Sequence, residues 1–145
     1  MSSAAATVGT PGRAAPARRL ARATAVVISA VAALVVWVIA DPLLGVNLTV
    51  VREGVTTTIG AGMVLLMATV SALLGWALLA LLERFIARPR AWRIWLGVAI
   101  AVLALSLVMP FNSGEIDGSA QVALLVMHLA VGVPLMALLG RTAGD

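Results

Sequence analysis

His128 is the side chain best suited to chemistry inside a membrane, and it is the only histidine of the chain. It lies in an uncharged segment that begins at Ser119, about 13 Å from the start of that segment at the 1.5 Å rise of an α-helix. This depth is close to the middle of a hydrocarbon layer about 30 Å thick. Ionisable residues within a membrane are candidates for function by default, and an imidazole can relay a proton or bind a ligand. His128 is therefore the first candidate functional residue.

A structural role for His128 is the simpler hypothesis, and we favour it. A neutral imidazole that forms a hydrogen bond with a hydroxyl group of a facing helix stabilises helix packing. Ser29, Thr69 and Ser71 are expected at a similar depth and are the candidate partners. Pro134 follows in the same segment, lacks a backbone N–H and is expected to interrupt and kink the helix. Transporters use broken helices to form binding sites, but a static bend is the more frequent role of such a proline.

The sequence offers few other groups for catalysis or metal binding. It contains no cysteine, which excludes disulfides, zinc–thiolate sites, iron–sulfur clusters and cysteine nucleophiles. Zinc-protease motifs, nucleophile elbows and phosphate loops are absent, and no predicted span has the central carboxylate that proton-coupled carriers usually need. We therefore predict no enzymatic activity, no cofactor and no metal, with haem ligation by His128 from two chains of a symmetric dimer as a remote alternative. The carboxylates expected on the outer side of the membrane are too loosely spaced to define a metal cage, and they are Asp41, Glu53, Glu115 and Asp117.

The composition indicates that these candidates are positioned by membrane helices. Hydrophobic residues make up 62% of the chain and charged residues 11%, whereas soluble proteins average about 45–50% and about 25%. A soluble fold cannot bury this much apolar surface. The predicted fold class is all-α, a polytopic bundle of four transmembrane helices that follows a disordered basic tail. The tail is placed at residues 1–19 and the transmembrane domain at 20–141, with spans at about 20–40, 57–82, 92–109 and 119–139.

Breaks in the apolar pattern set these boundaries. Asp41-Pro42 is expected to end the first span, because the residue before a proline is disfavoured in the α region. The segment from Gly45 to Gly54 is predicted to be a polar loop, and Pro110 is expected to end the third span. The first span also resembles a cleaved signal peptide, whose apolar core is typically 7–15 residues long. The apolar stretch of this chain is longer, so a retained span is favoured.

The charged residues predict the orientation of the bundle. The chain has 10 basic residues and a formal net charge of +4. All of the basic residues are arginines, which is typical of a bacterium with a GC-rich genome. All except Arg52 fall on one side of a four-span topology, and arginine-rich loops remain in the cytoplasm. We therefore expect a multi-pass protein of the plasma (inner) membrane with both termini in the cytoplasm.

A basic turn between the second and third spans is expected to bind the membrane surface. Each arginine near anionic headgroups contributes about 1 kcal/mol, and docking of a cytosolic protein is the alternative. Nucleic-acid binding is not expected, because the arginines flank apolar segments without an aromatic platform or a helix-turn-helix pattern. The predicted lipid-facing anchor consists of Arg84, Arg88, Arg90 and Arg93.

Small residues recur at a spacing of four in three of the predicted spans. Such faces let helix backbones approach each other closely in a membrane. Packing within one bundle is favoured over a dedicated dimerisation face, because alanine is frequent throughout the chain. The sets are Ala25, Ser29 and Ala33 in the first span, Ser71 and Gly75 in the second, and Gly97 and Ala101 in the third.

Several short motifs give the chain a resemblance to a known family. They are an arginine-rich start, Trp37 with Ala40-Asp41-Pro42-Leu43-Leu44-Gly45-Val46, Gly75-Trp76 with Leu81-Leu82-Glu83-Arg84, and Met127-His128-Leu129. Over about Arg18–Arg141 the arrangement resembles an uncharacterised family of unknown function, whose members are small four-helix membrane proteins of actinobacteria. The resemblance implies four helices in the plasma membrane and assigns neither an activity nor functional residues.

Two functions remain after these exclusions. The favoured one is a non-enzymatic structural or accessory subunit that binds another membrane protein, or a second copy of itself as a homo-oligomer, through its packed helix faces. The alternative is a small transporter or channel that uses His128 and the kink at Pro134 near the midplane. In both cases the lipid bilayer is the expected environment.

Overall fold

Four long helices dominate the computed structural model, which describes residues 14–52, 54–112 and 116–143. Each helix is long and apolar enough to cross a membrane. The predicted all-α fold with four candidate membrane spans is therefore confirmed, and the chain fits a multi-pass membrane protein. The helices are α1, Ala14–Val38; α2, Ala61–Phe85; α3, Arg88–Asn112; and α4, Gly118–Ala143.

The helices extend beyond the apolar spans from which they were predicted. Residues 1–13 of the predicted tail lie outside the described residues, and residues 14–19 belong to α1, which therefore begins earlier than the predicted first span. Alanine and arginine are among the best helix formers, and adding turns to an existing helix costs little compared with starting one. At the other end of the chain α4 continues to Ala143, past the predicted end of the last span.

Prolines end fewer helices than predicted. The third helix runs past Pro110 to Asn112, and α4 is one continuous helix that contains Pro134, so the predicted interruption at Pro134 is wrong. A proline removes only its own hydrogen bond from a helix, and membrane helices tolerate this loss when neighbouring helices support the site. Around Pro134, Gly132 and Leu135 both pack against other helices.

A single wider turn, Ile39–Leu43, continues the first helix through the Asp41-Pro42 pair. Pro42 has no backbone N–H to donate to the carbonyl four residues earlier. The amide of Leu44 donates instead to the carbonyl of Ile39, five residues earlier, at 3.0 Å. The helical path therefore ends one turn later than the sequence predicts.

An antiparallel hairpin occupies the segment that was predicted as a polar loop and the start of the second span. Its strands are β1, Thr49–Arg52, and β2, Val55–Thr58. Valine and threonine favour extended backbone, and Gly54 adopts a φ of 79° in the tight connection between the strands. The expected helix start near Thr57 is therefore wrong, and α2 begins only at Ala61.

The two ends of the bundle are formed by different elements. The basic end contains the start of α1, the turn between α2 and α3, and the end of α4, whereas the hairpin end contains β1, β2, the end of α3 and the start of α4. Helix α1 packs against α2 and α4, and α3 packs against α4 and α2. Near the hairpin end the buried core consists mostly of alanines, while near the basic end it includes Leu79, Trp95 and Leu139.

Candidate functional site

His128 lies in the middle part of α4, and its ring is half-buried. Its Nδ1 atom is 2.7 Å from the carbonyl oxygen of Leu124, one turn earlier in the same helix. A carbonyl oxygen can only accept a hydrogen bond, so Nδ1 carries the hydrogen and donates it. The hydrogen bond recorded for His128 is therefore within its own helix, instead of to one of the hydroxyls of Ser29, Thr69 or Ser71.

His128 lines a cavity of about 590 Å³ that lies between α2, α3 and α4. We call this cavity the cleft. Its walls are apolar side chains with three polar exceptions among the described residues, which are Ser71 from α2, Ser106 from α3 and His128 from α4. The cleft thus combines a large hydrocarbon surface with a few polar groups contributed by three different helices.

The cleft opens sideways between α2 and α3. Several of the apolar residues that line it are still strongly exposed, with Met67 at 53%, Leu74 at 65% and Val102 at 59%. Because these residues lie along the membrane-spanning part of the two helices, the opening faces the layer that lipid chains would occupy. A molecule dissolved in the membrane can therefore reach the cleft without passing through water.

Trp95 closes the cleft towards the basic end. Its indole Nε1 donates to the carbonyl oxygen of Gly75 at 2.7 Å, which ties α3 to α2. Gly75 has no side chain, and a Cβ atom added there would lie 3.1 Å from Leu135 of α4. The small residue at this position therefore lets three helices meet below the cleft, and Trp95 is only 1% exposed.

The structure brings two of the four sequence-predicted site residues together. His128 and Ser71 both line the cleft. Ser29 lies on α1, is fully buried, and its Oγ atom has no hydrogen-bond partner among the described residues. Pro134 is absent from the lining, although its neighbours Gly132 and Leu135 contribute to it.

Ser106 is a cleft residue that the sequence analysis missed. It is a lone polar residue in the third apolar span, which is a signal of the same kind as the one that identified Ser71. Its position on the inner side of α3 depends on the rotation of the helix, and the almost uniform hydropathy of this span leaves that rotation undefined.

A second polar constellation lies at the basic end. Arg22 of α1 donates through both terminal nitrogens to the carboxylate of Glu83 of α2, at 2.8 and 2.7 Å. Its Nε atom donates to the hydroxyl of Thr142 of α4 at 3.0 Å, and that hydroxyl donates to the carbonyl of Leu139 at 2.8 Å. We call Arg22, Glu83 and Thr142 the arginine clamp, because one guanidinium group joins three helices.

The arginine clamp was not predicted. The sequence analysis used Arg22 only as one of the arginines that indicate the orientation, yet its side chain is buried, at 7% exposure. The available signal was Glu83, an acidic residue at an end of the bundle that is otherwise rich in arginine. A bidentate arginine–carboxylate pair is strong and directional, but its burial requires both charges to stay paired.

Residues 13–145 match the model of DUF6069, a protein family of unknown function. The chain belongs to this family. The resemblance to an uncharacterised family expected from the sequence is therefore confirmed. No curated protein and no solved structure matches the chain significantly.

In this DUF6069 chain the four arginines of the predicted anchor surround the turn between α2 and α3. Arg84, Arg88, Arg90 and Arg93 are all exposed. Arg93 bends back so that its Nε lies 3.3 Å from the carbonyl oxygen of Pro89. The exposed ring of guanidinium groups contrasts with the buried Arg22 at the same end of the bundle.

The acidic residues near the hairpin end form no recognisable ion site in the part of the DUF6069 chain that the structure describes. Glu53 and Glu115 lie outside the described residues. Asp117 accepts a hydrogen bond of 2.7 Å from the hydroxyl of Ser119 at the start of α4. Within residues 14–52, 54–112 and 116–143, no group of three or more acidic or histidine residues is placed to bind a metal.

Proposed function

We propose that this chain is a non-enzymatic accessory subunit of the bacterial plasma membrane, which binds another membrane protein through the outer face of α3. The observation that carries the proposal is a row of small exposed residues on that face, which includes Gly97. A Cβ atom added at Gly97 would meet nothing within 4 Å. At Gly75, Gly132 and Gly140, by contrast, an added Cβ atom would meet a side chain of another helix within 3.1 Å.

The outer face of α3 consists of Ile94, Gly97, Ala101 and Ala104, all of which are exposed. These residues follow each other at intervals of three or four, so they lie on one side of the helix. Helix α3 is also the least enclosed of the four, with 11% of its apolar window buried compared with 33% for α1. A smooth face of glycine and alanine lets a second helix approach closely, which is how membrane helices associate without a hydrophobic driving force.

The non-enzymatic part of the proposal rests on residue types. The chain has one histidine and no cysteine, and the polar residues of the cleft are two serines and that histidine. Catalytic sites commonly place a nucleophile or an acid within hydrogen-bonding distance of a base that a third group orients. The hydrogen bond of His128 is to a backbone carbonyl of its own helix, and among the described residues no acidic side chain lines the cleft beside it.

Co-purification tests the proposed partner. The chain is tagged at its C-terminus, extracted in mild detergent, and compared by mass spectrometry with an unrelated four-helix membrane protein treated in the same way. We expect a stoichiometric membrane protein to co-purify. Gly97→Ile should lower its recovery about tenfold, which corresponds to a loss of about 1.4 kcal/mol of binding free energy.

Gly62→Ile is the matched control, because a Cβ atom at Gly62 of α2 also meets nothing within 4 Å. It introduces the same side chain on another exposed helix position and should leave the recovery unchanged. A preparation without a partner contradicts the proposal, and so does an equal loss for both variants. Recovery of only a second copy of this chain would replace the accessory role with homo-oligomerisation.

The proposed orientation places the basic end in the cytoplasm, as the distribution of the arginines indicates. The absence of cysteine in the chain allows single cysteines to be introduced without background labelling. Thr56→Cys in the hairpin and Ala87→Cys in the basic turn are both at exposed positions. We expect a membrane-impermeant maleimide to label Thr56→Cys in intact cells and Ala87→Cys only after the inner membrane is opened. The reverse pattern would overturn the orientation.

A transporter or channel is the second candidate, and the observation that favours it is the joint position of His128 and Ser71 in the cleft. A polar route across the membrane would have to pass through these groups. In sealed vesicles the purified chain should then conduct protons or a small solute, and His128→Gln should abolish the flux. Equal flux in vesicles with and without the chain removes this candidate.

A further inference from the structure

We propose that the cleft binds a membrane-soluble small molecule that consists of an apolar body and one hydrogen-bond donor, such as a long-chain alcohol or a phenol. The donor group would bind to Nε2 of His128, and the apolar body would lie between α2 and α3. This site is separate from the outer face of α3, which is on the other side of that helix.

The size and lining of the cleft fit a small-molecule site. Ligand sites in proteins usually have volumes of about 300–1,000 Å³, mostly apolar walls and a small number of convergent polar groups. The cleft has a volume of about 590 Å³ and three polar residues from three helices. None of its described lining residues is charged, so it suits a neutral ligand. Met63 and Met67 form part of the wall, and methionine adapts to ligands of different shape.

The hydrogen bonds already present in the cleft decide which ligand group fits. Nδ1 of His128 donates to the carbonyl of Leu124. In the neutral imidazole the single N–H is therefore on Nδ1, so Nε2 has a free lone pair and accepts hydrogen bonds. Ser106 likewise donates its hydroxyl hydrogen to the carbonyl of Leu103 at 2.8 Å. Two of the three polar groups therefore offer acceptors to the cleft, and a ligand must supply the donor. Ser71 can rotate its hydroxyl to serve either role.

The position of His128 relative to the opening gives the orientation of the ligand. Nδ1 binds to the backbone of α4, so Nε2 lies on the side of the ring away from that backbone. The exposed side chains of Met67 and Val102 mark the opening between α2 and α3. Trp95 closes the end next to Gly75. The ligand would therefore enter from the lipid side, with its polar group towards α4 and its apolar part towards the opening.

The test compares two probes that differ only in the donor. A long-chain alkylphenol and its methyl ether are each titrated into the purified chain in nanodiscs, with a bromine on the ring to quench tryptophan fluorescence. Trp95 lines the cleft and should report binding. We expect saturable binding of the phenol, with a Kd about tenfold lower than that of the ether, as for one hydrogen bond.

Two variants separate the role of His128 from non-specific partitioning. His128→Leu replaces the imidazole by an apolar side chain of similar size, and the phenol should then bind no better than the ether. Gly97→Ile alters the outer face of α3 and should leave both affinities unchanged, so failure of the accessory function and failure of this inference are distinguishable. Circular dichroism confirms that each variant remains helical.

The inference is overturned by quenching that does not saturate, by equal affinity for the two probes in the wild-type chain, or by tighter binding of the ether. A preference for the phenol that survives in His128→Leu overturns the role of the histidine. If His128→Leu does not fold, the comparison of the two probes in the wild-type chain still decides whether the cleft selects a donor.

Discussion

The two halves of the bundle are held together in different ways. At the basic end, directed contacts connect the helices: the arginine clamp joins α1, α2 and α4, and the indole of Trp95 joins α3 to α2. In the half near the hairpin, the buried residues are mostly alanines, and α2 and α3 separate around the cleft. There the indole of Trp37 of α1 donates to the carbonyl of Ile59, which lies between β2 and α2, at 2.8 Å. The hydroxyl of Ser29 has no hydrogen-bond partner among the described residues.

This difference indicates how a membrane bundle can keep an open site. Inside a membrane, helix association depends on close packing and on hydrogen bonds between helices, because the lipid is as apolar as the side chains. When these interactions are concentrated at one end, the other end can remain open without separation of the helices. We infer that the basic end provides most of the hydrogen bonds between helices, whereas the cleft provides the surface for binding.

Substitutions in the arginine clamp are expected to have the largest effect on the stability of the bundle. Arg22→Ala leaves the part-buried carboxylate of Glu83 without its partner, and removal of one member of a fully buried ion pair costs about 3–5 kcal/mol, which is the upper bound here. We expect a loss of up to this size in the free energy of unfolding, measured by titration with a denaturing detergent in mixed micelles. Arg84→Ala, at an exposed neighbour of Glu83, is the control and should change the stability by less than about 0.5 kcal/mol.

A double variant tests whether the ion pair itself stabilises the fold. The alternative is that stability is lost only when one of the two charges is left without its partner. Arg22→Met combined with Glu83→Leu replaces both charges by apolar groups, which is often neutral or stabilising. The double variant should therefore be more stable than Arg22→Ala. Equal stability of Arg22→Ala and Arg84→Ala would show that the basic end does not depend on the clamp.

Gly140 offers a second comparison, between a packed and an open glycine. A Cβ atom at Gly140 would lie 2.9 Å from Cζ2 of Trp92, and the ring of Trp92 is stacked on Trp95 with 5.1 Å between centroids. Because the stacked ring has little room to move, Gly140→Ala should destabilise the chain by about 1–3 kcal/mol. The same detergent titration measures the effect.

Gly62→Ala is the matched control for Gly140→Ala. Gly62 lies in α2, and an added Cβ atom there meets nothing. Since alanine favours helix by up to about 1 kcal/mol over glycine, Gly62→Ala should be neutral or stabilising. If both variants have the same effect, the contact between Trp92 and α4 does not restrict the basic end.

The sequence predicted the parts of this structure that depend on local composition. A membrane span requires a run of about 20 apolar residues, so the four helices could be found without knowledge of their contacts. The hairpin was missed because Val55–Thr58 carries no charge and therefore merged with the apolar segment that follows it. Here the β-branched residues and Gly54 outweighed the pattern of hydropathy.

The parts that depend on contacts between distant residues were not predictable in the same way. Arg22 and Glu83 are 61 positions apart, and their pairing requires the register of α1 against α2 to be known. The cleft lies between helices, and its shape depends on how the helices pack. The hydropathy of the sequence does not determine this packing. His128 and Ser71 could be selected because polar residues are rare in apolar spans, but whether they face each other depends on helix rotation, which nearly uniform hydropathy leaves undefined.

Ser29 gives the smallest effect and the finest test of the difference between the two halves. Its buried hydroxyl has no recorded partner in the part of the chain that the structure describes, and an unsatisfied buried polar group costs about 1–3 kcal/mol. Ser29→Ala should therefore be neutral or stabilise the chain by about 1 kcal/mol. Thr142→Ala, which removes a hydroxyl that both accepts from Arg22 and donates to Leu139, should instead destabilise it by about 1–2 kcal/mol. Opposite signs in the detergent titration would place the polar contribution to stability at the basic end. A loss of stability in Ser29→Ala would mean that a directed contact also exists near the cleft, and the contrast between the two halves would then be smaller than the structure indicates.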